Sequence, residues 1–148
     1  MGGFPENYPD DLLVQIMDDG AEYQELHVFR VARFGANNRA AFYSTFEDRI
    51  TRDEVTIRDF ELARENGKYD IGEFSTSCWQ TSKQAAKILK LIKKHEPAPI
   101  ILEGDIKPST GPSMLTANSK SHREAGKGHI DWWVFKDADP SPSFCSVE

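Results

Sequence analysis

The sequence predicts an α+β fold: a single domain with a mixed or mostly antiparallel sheet and peripheral helices. Three observations lead there. Several segments alternate apolar and polar residues with the period of a strand. In the last two thirds of the chain these strands follow one another with few helices between them, and no internal repeat is visible. The chain is 148 residues long, 39% hydrophobic and 28% charged, which suits one globular domain with a core of its own.

The first element is a helix opened by Pro9-Asp10-Asp11, whose acidic residues suit the positive end of its dipole. Leu12, Leu13, Ile16 and Met17 form its buried side and Gly20 ends it. This N-terminal helical segment (residues 1–24) is expected to pack on a core spanning residues 26–148. Residues 26–34 (LHVFRVARF) come next, with Phe29 and Val31 on one face and Leu26, Val28, Arg30 and Ala32 on the other. Apolar residues on both faces mark a central strand. Arg30 stands in an otherwise apolar file and needs a partner, with Glu103 and Asp105 as candidates. Asn37 or Asn38 is placed to cap a short helix carrying Phe42 and Phe46 one turn apart. Thr51 and Glu54 have capping-box spacing and predict a further helix ending at Asn66-Gly67, although residues 55–59 (VTIRD) also alternate like a strand.

Residues 73–79 read as a strand, followed by the best-formed helix. Thr81 and Gln84 have capping-box spacing, and Ala85, Ile88, Leu89 and Ile92 make one apolar stripe. Lys83, Lys87, Lys90 and Lys94 line another face, His95 closes the helix and Pro97 forbids its continuation. Residues 99–107 are a strand with Ile100, Leu102 and Ile106 on one side and Ile101, Glu103 and Asp105 on the other. Residues 113–116 form a short strand. Residues 117–128 (ANSKSHREAGKG) have almost nothing to bury and are expected to be a mobile loop, placed to close over a ligand. Residues 129–135 (HIDWWVF) put His129, Asp131, Trp133 and Phe135 on one face and Ile130, Trp132 and Val134 on the other. One of the adjacent tryptophans should be core, the other exposed or in a pocket. Pro140 and Pro142 precede a last short strand at 143–147.

Composition narrows the function classes. No apolar run approaches the ~20 residues of a membrane helix, and the acidic N-terminus lacks a signal-peptide layout. Cys78 and Cys145 make no secreted disulfide framework, so a cytoplasmic protein without a membrane partner is expected. A net charge of −6 argues against general nucleic-acid binding. The charge is uneven, acidic before Asp70 and mostly basic over residues 83–94 and 107–127. The lysines read as a solvated face, but the asymmetry leaves room for an anionic ligand such as a nucleotide. No G-x-S-x-G elbow is present, so serine-nucleophile chemistry at Ser75 or Ser77 would require His129 and Asp131 as partners. His27, His122, His129 and the two cysteines lack the short pair spacings of a zinc site, so no metal is expected.

Arg30 in VFRVA, Ser75-Thr76-Ser77 in GEFSTSCW and His129-x-Asp131 all fall on expected strands of one sheet. In this order the chain, over residues 26–147, resembles the ADP-ribosyltransferase family. That family carries an arginine or histidine on its first core strand, S-T-S on a second and a catalytic glutamate in E-x-E on a later one. The third motif departs: His129-x-Asp131 stands where E-x-E is expected, and Glu103-Gly104-Asp105 carries an acidic pair one strand too early. The resemblance implies NAD as co-substrate, with Arg30 on its pyrophosphate or ribose. It also implies that Ser75 bridges to the acidic residue, and that Asp131 stabilises the oxocarbenium-like centre as nicotinamide leaves. Arg30, Ser75, Ser77, His129 and Asp131 are then the candidate catalytic set, and Arg30, Thr76, Trp79 and Trp133 the candidate NAD contacts. A nucleotide or a protein would be the acceptor, and without the matched glutamate the activity would be altered or lost. The competing class is a non-enzymatic interaction or inhibitor module of phage or mobile-element type, using an aromatic surface around Trp132-Trp133 and Phe135. Convergence of Arg30 and Ser75 on one pocket separates the two.

Overall fold

The computed structural model describes residues 3–65 and 69–147. Its alternating segments pair into one six-stranded sheet: β1 (Leu26–Ala32), β2 (Thr76–Trp79), β3 (Ile100–Ile106), β4 (Ser113–Leu115), β5 (His129–Trp132) and β6 (Phe144–Val147). The order is β4-β5-β2-β1-β3-β6 and every pairing is antiparallel, so the chain is an α+β unit with an antiparallel sheet. Strand β1 is central and covered on both faces. Val28 and Ala32 pack with Phe42, Leu102, Trp132 and Phe144, while Val31 packs with Trp79 and Ala85. Gly35, at φ 80°, donates to the Ala32 carbonyl and turns the chain, so β1 stops two residues short of Phe34.

The helices cover one face and one end of the sheet. Helix α1 (Leu12–Asp19) ends on Gly20, whose left-handed conformation (φ 119°) sends its N–H to the Ile16 and Met17 carbonyls. Leu12 and Ile16 pack with Tyr8, Phe46, Phe60, Phe74, Met114 and Trp133. Helix α2 (Thr45–Thr51) is held by a capping box on Ser44 and Glu47. The Thr51 and Glu54 box is therefore corrected: the Thr51 hydroxyl donates back to the Glu47 carbonyl at 2.9 Å, as a last-turn residue. Helix α3 (Ile57–Glu65) begins instead on reciprocal bonds between Thr56 and Asp59, so residues 55–59 do not form a strand. The expected end at Asn66-Gly67 lies outside the described residues. Phe42 and Phe46 do not share a helix. A 3-10 turn (Arg39–Phe42) sends Phe42 to one core and α2 sends Phe46 to the other.

Residues 71–74 are a 3-10 turn capped by Asp70, which accepts from the Gly72 N–H, and this delays β2 to Thr76. Helix α4 (Ser82–Ile92) has the expected Thr81 and Gln84 capping box, and its Ala85, Ile88, Leu89 and Ile92 stripe packs on Phe29, Val31, Trp79 and Ile101. Residues 117–128 are more tied down than their composition suggests. Ser119 is buried and donates at 2.6 Å to Asp19 at the end of α1, and Arg123 reaches the same carboxylate. Trp132 and Trp133 do point to opposite faces, but both are fully buried, Trp132 against Phe42 and Phe144 and Trp133 against Leu12, Ile16 and Phe74. Phe135 is also buried, so these three rings form no exposed aromatic surface. No described helix is long and apolar enough to cross a membrane.

Candidate functional site

The register of β2 against β5 sets Ser77 opposite Asp131 and Trp79 opposite His129, so these four side chains share a face. Ser75 stands just before β2 and reaches the same place. Asp131 is 1% exposed. Its Oδ1 accepts from Ser75 Oγ at 2.8 Å, and its Oδ2 accepts from Thr116 Oγ1 at 2.7 Å and from Arg123 Nη2 at 2.5 Å. A buried carboxylate so surrounded is paired and hydrogen-bonded, as burial requires.

Arg123 is shared between two carboxylates. Its Nε donates to Asp19 Oδ2 at 3.3 Å, and its guanidinium lies 5.9 Å from the centre of the Trp133 ring. Asp19 also accepts from Ser119 Oγ and, at 2.8 Å, from the Ser121 N–H. Burial pushes the Asp19 pKa up, but these hydrogen bonds and Arg123 outweigh it and hold the carboxyl below its ordinary value. For Arg123, burial pulls downward, and the bonds to Asp131 and Asp19 overcome it.

The protons around His129 follow from donor accounting. Thr116 has one hydroxyl proton, and an ionised Asp131 can only accept it. The Thr116 oxygen is thus free to accept at 2.7 Å from His129 Nδ1–H. Burial, reinforced by Arg123 and Arg30 and opposed by Asp131, holds the His129 pKa below its ordinary value, so the ring is neutral at pH 7. Its Nε2 is then a bare lone pair, and Ser77 Oγ donates to it at 2.9 Å. Trp79 stands edge-to-face on the imidazole at 5.6 Å.

These groups open on a cavity of about 430 Å³ walled by Trp79, Ile88, Thr116, Arg123, His129 and Asp131, with Asp70, Glu73 and Glu124 also lining it. Of the expected site residues, the structure brings together Ser75, Ser77, Trp79, His129 and Asp131. Three others stand apart. Arg30, on the opposite face of β1, donates to the carbonyls of Ala41 (2.9 Å), Ser77 (2.8 Å) and Tyr43 (3.2 Å), and lies 3.9 Å from Asp48. Glu103 and Asp105, offered as its partners, flank His27 instead. Thr76 donates to the Phe42 carbonyl at 2.7 Å on that opposite face, and Trp133 lies under Arg123 with its indole N–H on the Ile71 carbonyl. Arg30 and Ser75 therefore do not converge on one pocket.

Sequence reasoning missed Thr116, Arg123 and Asp19. They come from a strand end, a polar loop and a helix terminus, and their meeting has no periodic signature. Among the described residues no group of three or more His, Cys, Asp or Glu is placed to hold a metal ion. Comparison with family models, with curated proteins and with solved structures gives no match for this chain.

Proposed function

We propose that the cavity binds NAD by its nicotinamide end, in the manner implied by the resemblance to ADP-ribosyltransferases, with Asp131 as the acidic residue facing the ribosyl carbon. The observation that carries this reading is the hydrogen bond from Ser75 to Asp131, which joins the first serine of S-T-S to the acid of the later motif. The two strands that carry these motifs also pair directly, β2 against β5. The nicotinamide ring of NAD is cationic, and the cavity offers it the Trp79 indole among Asp70, Glu73, Glu124 and Asp131. Arg30 does not converge with Ser75 on the cavity, its donors being committed to backbone carbonyls, so the arginine of the resemblance drops out and the reading rests on Ser75 and Asp131 alone. Arg123 covers Asp131 Oδ2 and is the group that gives way when a ligand enters.

Thermal melts with and without millimolar NAD test the reading. Ligand at a hundred times its dissociation constant stabilises by about 2.7 kcal/mol, and a shift of that kind is expected for the wild type. Asp131→Asn and Trp79→Ala should lose it. A wild-type melting temperature that ignores NAD would overturn the proposal.

A further inference from the structure

We propose that Ser77 is a nucleophile with His129 as its general base, and that the cavity accepts the acyl group of small esters. The inference stands apart from the nucleotide reading, since nothing in it requires NAD. Ser77 Oγ lies 2.9 Å from His129 Nε2, within the reach needed for proton transfer. With the ring proton on Nδ1, that nitrogen is unprotonated and the serine proton points at it. The base is itself fixed by a third and a fourth group, because Nδ1–H is held by Thr116, whose hydroxyl is held by Asp131. Such a chain orients the imidazole and stabilises the imidazolium that forms during attack. Here it is assembled across β2 and β5 and needs no strand-to-helix elbow.

Space and charge are also in place. Ser77 is half-buried behind the cavity wall: its register partner Asp131 and its base His129 line the cavity, with Trp79 and Ile88 as apolar walls. Arg123 Nη1 makes no hydrogen bond among the described residues. It lies over Gly72, where a Cβ would stand only 2.9 Å away. That donor is assigned to the oxyanion. Ser77 Oγ attacks the ester carbonyl carbon and passes its proton to His129 Nε2, while the carbonyl oxygen takes the negative charge beside Arg123. The bond to the alcohol oxygen then breaks, and Nε2 returns the proton to the departing alkoxide. Water then gives a proton to Nε2 and attacks the acyl carbon; the bond to Ser77 Oγ breaks, Nε2 returns its proton to that oxygen, and the carboxylic acid leaves with Ser77 and neutral His129 restored.

The test uses a fluorophosphonate probe and p-nitrophenyl acetate on the whole chain, with peptide mass mapping. One label is expected, on Ser77, and Ser77→Ala should remove both label and turnover. His129→Gln should slow labelling by about 100-fold or more. Thr116→Val should lower kcat, and Thr116→Ser should retain it. The wild-type pH profile serves if His129→Gln does not fold. The groups around His129 are Ser77 and Trp79 of β2, Asp131 of β5, Thr116, Arg123 and Arg30. The labelling rate should rise through one inflection below pH ~6.5, the ordinary histidine value, and then stay level. Wild-type labelling no faster than in Ser77→Ala, a label on another serine, or a rate indifferent to His129 would overturn the proposal. A protein that takes the probe but ignores NAD keeps this inference and loses the nucleotide reading.

Discussion

Two arginines show how the same side chain serves different ends. Arg30 meets three backbone carbonyls of the 41–43 segment and β2, where β1 and β2 share the register pair Phe29 and Trp79. It joins the strands by side-chain bonds where the ladder does not continue. Asp48, whose pKa is raised by burial against the pull of Arg30, Arg33 and Arg52, depends on this guanidinium for part of its compensation. Arg30→Ala should therefore cost about 3–5 kcal/mol, the effect of orphaning a buried partner. Arg30→Lys should recover only part, since an ammonium lacks the planar fork that spans three acceptors. Urea denaturation measures both, and a loss below about 1 kcal/mol, the net worth of a single hydrogen bond, would show that the carbonyls find other donors. Arg123 instead bridges two carboxylates from a loop and covers a cavity, a position that a ligand can change.

At the scale of elements, α4 shows what local patterning achieves. Its apolar stripe meets β1, β2 and β3 through Ile88, Leu89 and Ile92, each only partly buried. Leu89→Ala should cost about 2 kcal/mol, the low end of the range for leucine truncation, because the site is not closed to solvent. An unchanged denaturation midpoint would remove this face from the core. The capping box of α4 was legible because its partners are three residues apart and Pro97 bounds the helix. The same spacing at Thr51 and Glu54 misled, because Ser44 and Glu47, seven residues earlier, had already started a helix that ends at Thr51. The alternation that put His129 and Asp131 on one face was equally legible, as a two-residue period always is. What escaped was contact between distant segments. Asp19 and Arg123 are 104 positions apart, and nothing in either neighbourhood announces the other. The burial of both tryptophans escaped for a related reason, since a strand pattern cannot say whether distant segments, here Phe42 and Phe144, will cover its second face.

For the whole molecule, two histidines couple stability to pH in opposite directions. His129 is half-buried, and desolvation holds its folded pKa below the ordinary value. Below pH ~6.5 the unfolded chain takes up a proton that the folded one refuses, so this residue makes stability fall as the solution is acidified. His27 lies between Glu103 and Asp105 at 2.7 and 2.8 Å, and hydrogen bonds to both raise its pKa. Its contribution is fully present below pH ~6.5 and is lost as pH rises through the folded value. The His27 side chain is 54% exposed, so added salt should weaken its effect, whereas the desolvation at His129 is indifferent to salt. Urea midpoints across this window should therefore separate the two. His27→Gln should remove the fall of stability above pH ~6.5, His129→Gln should flatten the rise below it, and raising the salt concentration should move the wild type toward the His27→Gln curve. If His129→Gln leaves the wild-type slope untouched, the ring is not the desolvated neutral base that its contacts with Thr116 and Ser77 require, and the proton relay built on it fails with it.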